Sequence, residues 1–342
     1  METPQLRPEL MDCPHCGSGE RIGIHSHSER RFICHGCGKT FSETKGTPLF
    51  NLKYPLWFVS VVLTFVAYVC PVKAIVAAFF VDDRTVVDWL LKAGKHGKAI
   101  QEQTVCDGNV ELEQVQADEL CVTAQGGKVW MATAMVVRSR LFLGGVVSKC
   151  RDTALIRRLI DMVWQAGCNC VQPVLIAVDG LITYVGAVRK RFVTKVKTGK
   201  VGRPKHKIWP DLHIAQVVKR RDGGRIVEIQ RRVVHGCKNR VKELIAKTQG
   251  GMGKINTAYI ERLNATFRSR MPSLARRTRH LARTEQRLEY EMFWLGVVYN
   301  FHSVHSSLGV TPTTKAGITN RAWSIPEILL FRPGGKRVHA TL

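Results

Sequence analysis

Apolar and polar positions along this chain fall into stretches of different period, and each period predicts a different kind of element. Residues 10 to 45 are poor in apolar side chains beyond Ile22, Ile24, Phe32, Ile33 and Phe41. Leu56–Cys70 is then almost continuously apolar up to Pro71. It predicts a first helix over Leu56–Val69 and a short second one over Val72–Phe79. After a turn at Val81-Asp82, Asp83 is placed to cap a third helix from Arg84 to about Ala93. That helix carries Val86, Val87, Leu90 and Leu91 on one face and Arg84, Asp88, Lys92 and Lys95 on the other. Gly94–Gln103 reads as a linker.

From Val110 the period changes to two. Val110–Ala124 alternates, with Leu112, Gln114, Gln116, Asp118 and Leu120 on one face, and Val129–Val137 and Leu141–Ser148 predict two further strands. Asp152 caps a predicted helix over Thr153–Ala166, with Leu155, Leu159, Met162 and Val163 inward. Val174–Val178 is a compact buried strand ending at Asp179-Gly180, and a helix follows over about Ile182–Phe192. Ile214–Arg220 and Arg225–Val234 flank Asp222-Gly223-Gly224 as a hairpin, one arm of which completes the sheet. Val241–Lys247 is a short helix. Asn256 opens another, with Ile260, Leu263 and Phe267 as its buried stripe and Glu261, Asn264 and Arg268 sharing a polar face. Thr284 caps a long helix from Glu285 to about His302. The fold class is therefore α/β, a mixed sheet flanked by helices behind smaller N-terminal modules.

Charge changes the picture. The 342 residues carry 52 Lys+Arg against 27 Asp+Glu, a net +25 spread along the whole chain, as expected of a protein that meets a polyanion. Double-stranded DNA is the expected partner, with an anionic membrane surface second. The apolar run at Leu56–Cys70 falls short of the roughly 20 residues that a bilayer requires, so no membrane span is expected. Met1–Asp12 is polar, so no secretory leader is expected there.

Two constellations carry chemistry. Cys13-x2-Cys16 and Cys34-x2-Cys37, each followed by glycine, have the spacing of a zinc ribbon holding structural Zn2+, and the other seven cysteines are scattered as in a reducing compartment. Asp118 and Asp179 each lie at or near a strand, and Glu261 lies on a later helix. If the first and fourth strands are neighbours, the three carboxylates meet at one sheet edge, an arrangement that calls for Mg2+ or Mn2+. Taken singly, each aspartate reads equally well as a strand-end turn residue.

Asp118-Glu119-Leu120, Val178-Asp179-Gly180 and Tyr259-Ile260-Glu261-Arg262-Leu263-Asn264 resemble the DDE transposases of bacterial insertion sequences, most of all the family typified by insertion sequence one. Tyr299-Asn300, His305-Ser306-Ser307-Leu308-Gly309 and Thr311-Pro312 are similar to the closing motif of integrase-type transposases. The resemblance implies a zinc ribbon (10–46), a helix-turn-helix DNA-binding domain (49–98), and a ribonuclease-H-like catalytic domain (108–310) with a basic insertion at 193–253, followed by a tail at 311–342. It also implies a cytoplasmic, nucleoid-associated enzyme that oligomerises on DNA, cleaves insertion-sequence ends and joins their 3'-hydroxyls to target DNA. By position Asp118, Asp179 and Glu261 are the catalytic acids and metal ligands, and Arg268 is the basic residue that follows the glutamate. Cys121 stands where relatives often have Trp. Arg84 and Lys92, Arg203 within Gly202-Arg203-Pro204, and Arg262, Asn264, Arg276 and Arg277 are the expected DNA contacts. A helical linker bundle at 49–98 and a solvated basic loop around Arg203 are the plainer readings of two of these segments. A nuclease or resolvase of the same fold, or an inactive DNA-binding regulator, are the alternative functions.

Overall fold

A computed structural model describes residues 5–170, 173–196, 205–250, 253–275 and 281–334. They form two compact units, one from the described residues of 1–104 and 293–342, the other from those of 105–292.

The first unit begins with a three-stranded antiparallel sheet, β1 (Ile22–Ser26), β2 (Arg31–Cys34) and β3 (Thr40–Ser42). Phe32 and Phe41 are buried at its centre beside Leu6, Cys13 and Cys34. Three helices follow, α1 (Leu56–Ala67), α2 (Val72–Phe79) and α3 (Asp83–Thr104). Asp82 rather than Asp83 serves the start of α3, accepting the Arg84 N–H at 2.8 Å.

The stretch read as a linker, Gly94–Gln103, is helical and forms the second half of α3. Gly97 lies at a close packing contact within it. A Cβ on Gly97 would stand 3.1 Å from the Phe293 carbonyl oxygen, a crowded contact that glycine avoids. His96 is buried, its Nε2 bonded to the Ile328 carbonyl at 3.0 Å, and burial pushes its pKa down to about 4.

The second unit is built on a six-stranded sheet. In chain order its strands are β4 (Gln114–Ala124), β5 (Gly127–Val136), β6 (Phe142–Ser148) and β7 (Val174–Asp179). A separate two-stranded ribbon, β8 (Val193–Val196) and β9 (Lys205–Ile208), precedes the last two, β10 (Leu212–Asp222) and β11 (Arg225–His235). The spatial order is β11-β10-β7-β4-β5-β6. β4, β5 and β6 are antiparallel, while β7 runs parallel to both β4 and β10. The first and fourth strands are thus neighbours, as the placement of Asp118 and Asp179 requires. The helix α4 (Thr153–Gly167) starts where Asp152 accepts the Leu155 N–H at 2.9 Å, and it packs against α5 (Ile182–Arg191). On the other face lie α6 (Lys238–Gln249), seated on Gln114, and α7 (Ala258–Arg270), seated on Gln116 and Asp118.

The boundary between units falls inside α8 (Glu285–Val297), at Met292, earlier than residue 310. Beyond it, Trp294 donates to the Leu63 carbonyl at 3.3 Å within the first unit. There, α9 (Pro312–Lys315) is capped by Thr311 and α10 (Ile325–Leu330) by a Ser324/Glu327 capping box. The apolar tail segment packs on α1 and α3, and Arg332 donates to the carbonyls of Asp12, Ser42 and Glu43 in the ribbon. No helix among the described residues is long and apolar enough to cross a membrane.

Candidate functional site

The first constellation is the cysteine cluster. Each Cys-x-x-Cys closes a knuckle in which glycine at positive φ (Gly17 at 71°, Gly38 at 72°) donates back to the first cysteine's carbonyl, at 2.8 and 2.7 Å. The knuckles face each other, with Cys13 Sγ 3.6 Å from Cys37 Sγ and Cys16 Sγ 3.7 Å from Cys34 Sγ. Four thiolates bound tetrahedrally at Zn–S distances near 2.3 Å lie about 3.8 Å apart, so the cluster is compatible with structural zinc. Burial opposes ionisation of Cys13, but the N–H groups of His15 and Cys16 outweigh it and hold the thiol at about 7. Arg30 donates to the buried Glu43.

The second constellation lies in the sheet unit. β4 and β7 pair up to Ala117 and Val178, so Asp118 and Asp179 come next along each strand, and Asp179 is flanked on its far side by Val217 of β10. Glu119 joins them, and carboxylate oxygens of Asp118, Glu119 and Asp179 lie within 4.8 Å of one another, a cluster that could hold a metal ion. Around it opens a cavity of about 690 Å³ lined also by Arg151, Lys219, Thr257, Glu261, Asn264 and Arg268.

Asp118 faces α7. Its Oδ2 accepts the Asn264 amide at 2.9 Å, and the Asn264 carbonyl oxygen accepts the Thr133 hydroxyl at 2.9 Å, which fixes the direction of the amide. Burial, then the charges of Glu119 and Asp179, push the Asp118 carboxyl up to about 6. Thr133→Val keeps the side-chain volume but orphans a buried oxygen. It should cost about 1–3 kcal/mol in urea unfolding, with no measurable cost showing that Asn264 needs no such partner.

Glu119 points to the opposite face of the sheet, where both of its oxygens are engaged. Oε2 accepts the hydroxyl of buried Tyr184 at 2.9 Å, and Oε1 accepts Arg151 Nε at 2.8 Å and one of its terminal nitrogens. Burial first, and then the Glu119 charge, keep Tyr184 protonated and donating.

Glu261 stands across the cavity, outside the three-acid cluster, bonded to Lys219 Nζ at 2.5 Å and to Thr257 Oγ1 at 2.8 Å. Gln116 sets its position. The Gln116 Oε1 accepts the N–H groups of Tyr259 and Ile260, both at 3.0 Å, at the start of α7. Asn256, expected to cap this helix, instead accepts the Ala258 N–H and the Gln116 amide just ahead of it, and Thr257 takes the N-cap position. The stripe of Ile260, Leu263 and Phe267 is buried as expected, while Glu261, Asn264 and Arg268 line the cavity.

The expected DNA contacts are placed unevenly. Asn264 is 1% exposed and its amide is spent on Asp118 and Thr133, so it braces the site instead of facing a ligand. Arg84 and Arg262 are exposed, Lys92 is exposed but paired with Asp88 at 2.7 Å, and Arg268 is on the cavity wall. Arg203, Arg276 and Arg277 lie outside the described residues. Periodicity could not reveal Gln116, Glu119, Thr133, Arg151, Tyr184 or Lys219, since each acquires its role from a partner far away in sequence. The one local signal was a run of two acids, Asp118-Glu119, on a buried strand. Compared with known proteins, the chain matches no family model and no curated protein.

Proposed function

We propose that this chain is a DDE-type DNA transposase with a ribonuclease-H-like catalytic unit, cutting the ends of an insertion sequence and joining them to target DNA. The observation that carries the reading is the convergence of Asp118, Asp179 and Glu261, from β4, β7 and α7, on one open cavity rimmed by cations. The order β6-β5-β4-β7-β10, antiparallel and then parallel, is consistent with that fold family. The net charge of +25 suits the phosphate backbone of a duplex.

Asp118, Asp179 and Glu261 would hold Mg2+ or Mn2+, because Glu119 has both oxygens committed and oxygen-only donors select hard cations. Bound there, such ions activate an attacking oxygen and stabilise a leaving one in an in-line displacement at phosphorus. The protein's own part is positioning. Asn264 and Thr133 orient Asp118, Gln116 sets the height of α7, and Lys219 holds Glu261 until a cation competes for it. In the first reaction water adds to phosphorus and the P–O3' bond breaks, leaving a 3'-hydroxyl and a 5'-phosphate. In the second, that 3'-hydroxyl attacks a target phosphodiester, forming a new P–O3' bond and displacing the target's own 3'-oxygen.

The test is strand transfer with a pre-nicked duplex that carries the terminal sequence flanking this coding region. The wild-type protein should give a joined product that depends on Mg2+ or Mn2+, and Glu261→Gln should not. Hydrolysis without joined product would favour the nuclease reading, and DNA binding without cleavage would favour the regulator.

A further inference from the structure

We infer that Arg151 binds the phosphodiester undergoing cleavage, through non-bridging oxygens; the inference rests on the phosphoryl-transfer reading above. Arg151 sits between β6 and α4 and lines the acidic cavity. Its guanidinium is fixed on two sides. Nε and Nη2 donate to the buried Glu119 carboxylate, and the plane lies over the Trp130 ring at 4.9 Å. Glu119 is itself held by Tyr184. Nη1 has no partner among the described residues.

A plain counter-ion for the acidic cluster would be arranged otherwise. Arg151 Nη2 stays 3.7 Å from Asp179 Oδ2, beyond hydrogen-bond distance, and its direct bonds go to the one carboxylate that faces away from Asn264 and α7. A buried carboxylate used solely to hold a cation at a cavity wall costs desolvation and adds like charge beside Asp118 and Asp179. The arrangement instead yields a pre-oriented guanidinium edge beside the place where a phosphate must lie to be reached from Asp118 and Asp179. A planar fork of donors matches two phosphate oxygens in a way that a lysine ammonium does not.

The experiment compares three proteins on two duplexes. Wild type, Arg151→Gln and Arg151→Lys are titrated in Ca2+ with duplexes carrying either a normal phosphate or a methylphosphonate at the position the wild type cuts in Mg2+. Binding is read by fluorescence anisotropy, and each variant's melting midpoint is recorded alongside. Wild type should bind the methylphosphonate duplex about 10- to 100-fold more weakly. Arg151→Gln should show a similar loss on the normal duplex and little further loss on the modified one. Arg151→Lys retains the charge, so it serves as the folded comparison, with an intermediate loss. Full methylphosphonate sensitivity in both variants would overturn the inference and leave Arg151 a structural partner of Glu119. A wild type that cuts no DNA at all would overturn the phosphoryl-transfer reading itself.

Discussion

Asp118→Asn should abolish metal-dependent cleavage while making the metal-free protein more stable. On the proposed chemistry the loss is about a thousandfold or more, since the residue is a cation ligand. The gain in stability has a separate origin. The Asp118 carboxyl is raised from an ordinary 3.8 to about 6, first by burial and then by Glu119 and Asp179, so ionising it works against folding. Protonated Asp118 retains its full stability below about pH 4 and loses it as pH rises through 6. At pH 7 the asparagine avoids this penalty, on the order of 3 kcal/mol, and the advantage should vanish below about pH 4. A bound cation reverses the sign for wild type alone. Mn2+ should therefore raise the wild-type melting temperature, less so as pH falls below 6, and leave Asp118→Asn unmoved. A nicking assay in Mn2+ checks the loss of cleavage, and urea unfolding at pH 4 and 7 with and without Mn2+ checks the stability; a variant less stable than wild type at pH 7 without metal would show that Asp118 is not under electrostatic strain.

Removing zinc should unfold the N-terminal ribbon. Its core is one small cluster around Phe32 and Phe41, two of whose five members, Cys13 and Cys34, belong to the four-cysteine cluster. So small a core contributes little, whereas structural zinc supplies about 10–16 kcal/mol in comparable small domains. Cys34→Ser, or chelation of the wild type, should open residues 5–46 to proteolysis. The sheet unit, which has its own core of β4, β5 and β7, should keep its hydrogen-exchange protection. Elemental analysis should find one zinc per chain. Purified protein without zinc, or a ribbon that resists both chelation and Cys34→Ser, would refute the assignment.

The legible parts of this protein were those written in short-range spacing. Cys-x-x-Cys predicts its knuckle because the bend is made within five residues, and Gly17 and Gly38 take the required positive φ. The strand pairs around Asp222-Gly223-Gly224 and between β4 and β5 were readable because hairpin partners are close in sequence. Gly94–Gln103 was misread as a linker because glycine leaves the same mark whether it loosens a chain or lets two backbones approach, and Gly97 does the latter.

The site itself divides along the same line. Sequence alone determined the order Asp118, Asp179, Glu261, the kind of element that bears each, and the shared face of Glu261, Asn264 and Arg268, since helix and strand periods are local properties. Tertiary structure decided which groups meet. Asp118 bonds Asn264 across 146 residues, and Gln116 caps α7 across 143. Glu119, one residue from Asp118, joins the cluster but is claimed by Arg151 and Tyr184, while Glu261 faces it from across the cavity on Lys219. Those pairings need β4, β7 and β10 side by side in one sheet, with α5 and α7 packed on it. No pattern within a single segment encodes that adjacency, because it is set by burying the whole core at once.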